Sequence, residues 1–139
     1  MLGVILITAA TVVLNVSIHL SVLHFLQDSV LPRVIQYKRI VVGVILSGAI
    51  VGHLVEIGVF TGAMAMVANL ANNPPPHIDD AFFWSATAYT SLGSDYPAVP
   101  EIRLLTAVEA LTGLILITWT ASFLFLLMQQ YWQEKKAEK

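Results

Sequence analysis

Apolar positions fall into three long runs separated by two polar breaks. Leu2 to Leu26 carries no acidic or basic side chain other than histidine, and it exceeds the ~20 residues that cross about 30 Å of hydrocarbon. Ile40 to Leu70 is interrupted by His53 and Glu56, and Ile102 to Met128 ends at Gln129. Both are long enough to span, Ile40 to Leu70 with tilt. Gln27 to Arg39 gathers Asp28, Pro32, Arg33, Lys38 and Arg39, which predicts a polar connection with a proline stop. Asn69 to His77, with Asn72, Asn73 and Pro74, Pro75 and Pro76 in succession, cannot continue a helix and reads as an extended connection outside the membrane.

A new element is expected to start at Asp79 or Asp80, since either carboxylate can accept hydrogen bonds from the free amides of the next turn. Ala81 to Tyr89 is then a short helix of about three turns, too short to span. Ser91 to Pro100 carries Gly93, Pro97 and Pro100 and is expected to be irregular. Past Gln129, Tyr131 and Trp132 suit the membrane interface, and Glu134 to Lys139 forms a charged tail. The pattern predicts an all-α membrane protein: three transmembrane helices, with a re-entrant helix and loop between the last two. It divides into a first helix and loop (1–39), a unit of two spans with the short helix and loop between them (40–128) and a tail (129–139).

Composition agrees. The chain is 57% hydrophobic and 12% charged, with mean hydropathy +0.77, where a soluble domain carries about 25% charged residues. The 139 residues leave no room for a separate soluble domain. There is no cysteine, so disulfides, thiolate metal sites and cysteine nucleophiles are excluded. No phosphate-binding glycine loop, nucleophile triad or basic patch supports an enzyme or a nucleic-acid partner. Met1 to Leu14 lacks the basic start and small-residue cleavage site of a signal peptide and is read as a retained helix.

Arg33, Lys38 and Arg39 in the first break, and Lys135, Lys136 and Lys139 in the tail, place both on the cytoplasmic side. Asn69 to Glu101, with Asp79, Asp80, Asp95 and Glu101, then lies outside together with the N-terminus.

Inside the spans, Gly43, Ser47, Gly48 and Gly52 offer small surfaces that let another helix approach closely. Ionisable groups in a bilayer are rare and costly, which singles out His53, Glu56 and Glu109. His53 and Glu56 are three apart on one helical face and can satisfy each other. Glu109 is better placed to support the short helix than to meet an ion. Asn15, His19 and His24 could join His53 and Glu56 in a proton or metal site. Polar contacts between helices explain them more cheaply, and the spacing of five between the two histidines suits one ligand pair poorly. Trp119, mid-span, is expected to pack against protein.

The string Phe83-Trp84-Ser85-Ala86-Thr87-Ala88-Tyr89-Thr90-Ser91-Leu92-Gly93 resembles the pore helix and filter entry of the potassium-channel superfamily. Arg103-Leu104-Leu105, Glu109-Ala110-Leu111, Gly113 and Trp119-Thr120-Ala121 resemble the inner helix of small bacterial two-helix-pore ion channel proteins, and His53-Leu54-Val55-Glu56 their outer helix. The likeness covers about Ile40 to Leu127. It implies a homotetramer in a bacterial inner membrane, with Thr90, Ser91, Leu92, Gly93, Ser94 and Asp95 along the ion path. His53, Glu56, Glu109 and Gly113 would serve gating or pore support, Gly113 as a hinge. Thr112, Thr118, Thr120 and Ser122 are candidate wall or packing hydroxyls of the inner helix.

The string departs from the T-V-G-Y-G filter: after Thr90 it reads Ser91-Leu92-Gly93-Ser94 and then Asp95, without the aromatic and the second glycine. Weak or altered selectivity among monovalent cations, K+ and/or Na+, is therefore expected, with no cofactor and no metal beyond permeant cations. The alternative is a non-conducting pore-fold subunit with an assembly or regulatory role. The first span lacks the arginine series of a voltage sensor.

Overall fold

A computed structural model describes residues 1–37, 40–73, 75, 77–93 and 100–137, with side chains except those of residue 101 and residues 130–137. The described residues form helices joined by turns and short irregular stretches, without strands. The helices are α1 (Leu2–Phe25), α2 (Leu31–Val34), α3 (Val41–Leu70), α4 (Ile78–Tyr89) and α5 (Pro100–Ala137). Three stretches are long and apolar enough to cross a membrane, Leu2–Val34, Val41–Leu70 and Ile102–Gln129. The chain is a multi-pass membrane protein.

The first stretch is longer than the sequence predicts. Helix continues past Phe25 through a wide turn, Leu26–Val30, into α2, so Gln27 to Val34 is not the polar connection expected. Pro32 sits in the first turn of α2, where a proline costs no intrahelical hydrogen bond. The Leu31 amide reaches back five residues to the Leu26 carbonyl, the geometry that a π-type turn allows.

Helix α1 is inside out. Its buried stripe is Thr8, Thr11, Asn15, His19 and Leu23, while Leu6, Val13, Leu14 and Phe25 are exposed. Lipid solvates leucine as well as another helix does, so packing and hydrogen bonds decide which face turns inward. Thr8 and Thr11 donate to the carbonyls of Val4 and Ile7, each at 2.8 Å, and thereby enter the interface with their hydroxyls satisfied.

Against this stripe lies α3. An ideal Cβ at Gly48 would sit 2.5 Å from Leu26 Cδ2, and one at Gly52 would sit 2.8 Å from Val22 Cγ1, whereas Gly43 has nothing within 4 Å. Of the small residues flagged in the sequence, Gly48 and Gly52 therefore let α1 approach. Valine is stiff about χ1, so Gly52→Ala should lower the thermal unfolding temperature in detergent. Gly43→Ala should raise it slightly, since alanine gains ~1 kcal/mol over glycine in a helix.

Helices α3 and α4 end in the same way. Asn72 has φ 55° and Ser91 has φ 57°. The amide of Asn73 bonds the Ala68 carbonyl at 3.0 Å, and that of Leu92 bonds the Thr87 carbonyl at 2.9 Å. Each is a Schellman cap with a non-glycine residue in the left-handed position. Helix α4 begins earlier than predicted, at Ile78 after an extended His77, and no side chain caps it. Asp79 and Asp80 lie instead in its first turn, where they favour the positive end of the helix dipole.

Helix α5 runs unbroken to Ala137, so the expected tail is helical through that residue. Pro100 occupies its first position, where proline is favoured. Trp119 is 43% exposed and packs its remaining surface against protein, including the His19 ring. The core joins α3, α4 and α5 through Ile57, Phe60, Met64, Val67, Tyr89, Ile102 and Leu105. Leu26, Val41, Ile45 and Ala49 form a second cluster with Phe123, Leu124 and Leu127 packed against it.

Candidate functional site

Helix α4 has twelve residues and a length of ~18 Å, which falls short of the ~30 Å hydrocarbon thickness. It packs between α3 and α5 with Ala81, Ser85, Ala88 and Tyr89 buried. Two carboxylates of the long helices hold this face.

Glu109 of α5 is fully buried and accepts a hydrogen bond from the Ser85 hydroxyl, which also lies 3.1 Å from the Ile57 carbonyl of α3. Glu109 thus supports α4 from behind.

At the C-terminal end of α4, the fully buried Tyr89 donates its hydroxyl to Glu56 Oε2. His53 Nδ1 is 3.0 Å from the same carboxylate oxygen and 3.0 Å from Tyr89 Oη. The internal His53–Glu56 contact is the one that their spacing suggests. His53 Nε2 reaches Thr120 Oγ1 of α5 at 3.0 Å. From α1, His19 Nδ1 meets Glu56 Oε1 at 2.9 Å.

The Glu56 carboxylate therefore gathers groups from α1, α3 and α4, and His53 extends the network to α5. The imidazole rings of His19 and His53 stand 5.5 Å apart, and the Trp119 ring lies 5.9 Å from that of His19. Tyr89 meets Phe60 edge-on at 6.4 Å. With three partners, both carboxylate oxygens are hydrogen-bonded, as buried polar atoms generally are.

His19 thus belongs to the cluster and His24 does not, since His24 is exposed. Asn15, buried one turn before His19, bonds the Thr11 carbonyl of its own helix at 3.0 Å. Sequence reasoning passed over Tyr89 as a polar partner and Thr120 as a partner of His53. A tyrosine at the end of an apolar helix carries no periodic signal that its hydroxyl is used.

Gly113 has a packing reason to be glycine. A Cβ there would run into the carbonyl oxygen of Tyr89 and lie 2.8 Å from the Tyr89 carbonyl carbon. Helix α5 thus touches the last turn of α4 backbone to backbone.

Beyond Tyr89, the Thr90 hydroxyl bonds the Ala86 carbonyl at 2.8 Å. Ser91 takes the left-handed conformation, Leu92 is 79% exposed, and Gly93 has φ 75° with nothing within 4 Å of its ideal Cβ. The Gly93 amide points back to Thr87 O at 3.1 Å. Ser94 and Asp95 lie outside the described residues, as do Pro97, Lys38, Arg39 and Lys139 and the side chains of Glu101, Tyr131, Trp132, Glu134, Lys135 and Lys136.

Of the inner-helix hydroxyls, Thr112, Thr118 and Ser122 bond carbonyls of their own helix at 2.7, 2.7 and 3.0 Å. Thr120 alone among these four reaches across to another helix. No protein-family model, curated protein or solved structure matches this chain.

Proposed function

We propose that this chain is one subunit of a homotetrameric cation channel in which α4 re-enters the membrane and four copies of the loop after it surround the ion path. One observation carries the reading: a helix too short to span is wedged between two that can, anchored at Ser85 and Tyr89, and followed by irregular backbone at Ser91, Leu92 and Gly93. Irregular backbone at membrane depth requires protein or a water-filled cavity to satisfy its peptide groups, and a pore supplies the cavity. The C-terminal dipole of α4 favours a cation near Thr90.

The potassium-channel superfamily, which residues 83–93 resemble, strips the ion of water with successive rows of backbone carbonyls. Here a single glycine, Gly93, follows Thr90 before Asp95, so fewer rows form and selectivity between K+ and Na+ is weak. Four copies of Asp95 would add negative charge that concentrates cations. The cation count puts the N-terminus outside and the C-terminus in the cytoplasm.

The same missing glycine favours a second reading, a pore-fold subunit that does not conduct. Flux of K+ and of Na+ into liposomes holding the purified chain separates the two. The channel should pass both ions and lose most of this flux in Gly93→Ala, whose side chain is strained at φ 75° by ~1 kcal/mol or more. Silence under every gradient and voltage, or a purified assembly no larger than a dimer, sinks the pore.

A further inference from the structure

The geometry points to a binding site for one divalent transition-metal ion of the zinc class, formed by His19, His53 and Glu56 with the Tyr89 hydroxyl beside them. It stands independently of conduction. His19, His53 and Glu56 each offer a ligand atom within 4.8 Å of the others. The carboxylate oxygens already stand 2.9 Å from His19 Nδ1 and 3.0 Å from His53 Nδ1. Nitrogen and oxygen ligands ~2.0–2.2 Å from a common zinc ion sit about 3 Å or slightly more from one another, so small ring movements bring these atoms around an ion.

Two imidazoles and a carboxylate favour Zn2+, Co2+ or Ni2+ over Mg2+ and Ca2+, which prefer all-oxygen shells. His53 has the outer partner that a metal-bound histidine usually shows. With its proton on Nε2, 3.0 Å from Thr120 Oγ1, the Nδ1 lone pair is free for the ion. Tyr89 Oη, 3.0 Å from His53 Nδ1, marks a fourth position for phenol or water.

His19 is 2% exposed and its Nε2 has no partner, so Nδ1, which faces Glu56, is the nitrogen placed for an ion. Among the described residues the ion-pair partners of Glu56 are these two histidines, with no lysine or arginine. A buried carboxylate without a permanent cation is a costly arrangement in lipid, and a divalent ion relieves it. The ion would clamp α1 to α3 at the foot of α4.

The test uses the full chain, purified in detergent on a tag without histidine and stripped with a chelator. Co2+ is added, its visible absorption is followed, and Zn2+ is titrated against thermal unfolding. Wild type and His24→Ala should bind one ion per chain, with an intense d–d band for Co2+ and an unfolding temperature that rises with Zn2+ concentration.

Glu56→Gln and His19→Ala should lose both signals. Thr120→Val should bind ~10-fold more weakly, as expected on removing an outer partner. Absence of a Co2+ band in wild type overturns the site, as does undiminished binding in His19→Ala, and the cluster is then hydrogen bonds alone. Should Glu56→Gln fail to fold, wild type and His19→Ala still decide.

Discussion

Gly113→Ala should be among the most damaging single substitutions in the chain, lowering unfolding stability by about 3 kcal/mol, the upper end of the usual cost of overpacking. The reason lies in which atoms meet. The new methyl would strike the carbonyl of Tyr89 and not a side chain that can rotate away. Backbone can yield only if α4 and α5 separate, which pulls Ser85 from Glu109. Unfolding in graded denaturant, read by tryptophan fluorescence in mixed micelles, measures the loss. A hinge glycine predicts something else: gating would change while stability barely moved. Stability within ~0.5 kcal/mol of wild type would return Gly113 to that role.

Glu56→Ala should cost about as much for a different reason. The carboxylate accepts from Tyr89 and meets His19 and His53; His19 and Tyr89 are buried, and His53 is partly so. Each buried donor left unmade costs about 1–3 kcal/mol, while polar contacts between membrane helices average nearer ~0.6 kcal/mol because the unfolded helices find other partners. A total of about 2–4 kcal/mol lies between these bounds. His24→Ala is the internal control, since that ring is exposed on the same helix as His19. The same unfolding assay should show His24→Ala unchanged and Glu56→Ala destabilised; equal effects would mean that Glu56 organises nothing.

How much of this the sequence discloses depends on the physical signal involved. The three long helices were legible because hydropathy and length alone decide whether a segment can cross a bilayer. Helix α4 was legible from Asn72 to His77, which stop one helix, and from Gly93 and Pro97, which prevent the next from growing backward. Its first residue was misjudged because an aspartate fits a cap and a first turn equally well, and only backbone angles distinguish them. Pro32 misled for a related reason: a proline ends a helix in its interior but opens one in its first turn, and the wide turn before it could not be read from side chains.

The site was half legible. His53 and Glu56 declared themselves through cost and spacing within one helix. His19 looked weak because its nearest histidine in the chain, His24, turns elsewhere, and the partner that explains it is on α3. Neither the Tyr89–Glu56 nor the Thr120–His53 contact gave a signal, since hydroxyls are common in such helices and most bond their own turn, as Thr112 and Thr118 do. Which hydroxyl reaches across is a property of helix rotation, and an apolar sequence in lipid encodes that rotation weakly.

The order of the partners along the chain has a consequence for biogenesis. Synthesis delivers α1 and α3 before α5, so His19 and Glu56 can meet early, while Thr120 and Glu109 emerge last. Until then His53 lacks its Thr120 contact, Ser85 lacks its carboxylate, and an ionisable cluster faces lipid at a cost that membrane quality control can detect. A nascent chain that lacks the last helix would leave these groups uncovered. A chain stopped after Asn73 should be degraded faster in pulse-chase than the full chain, and the further substitution Glu56→Leu should lengthen the stopped chain's lifetime.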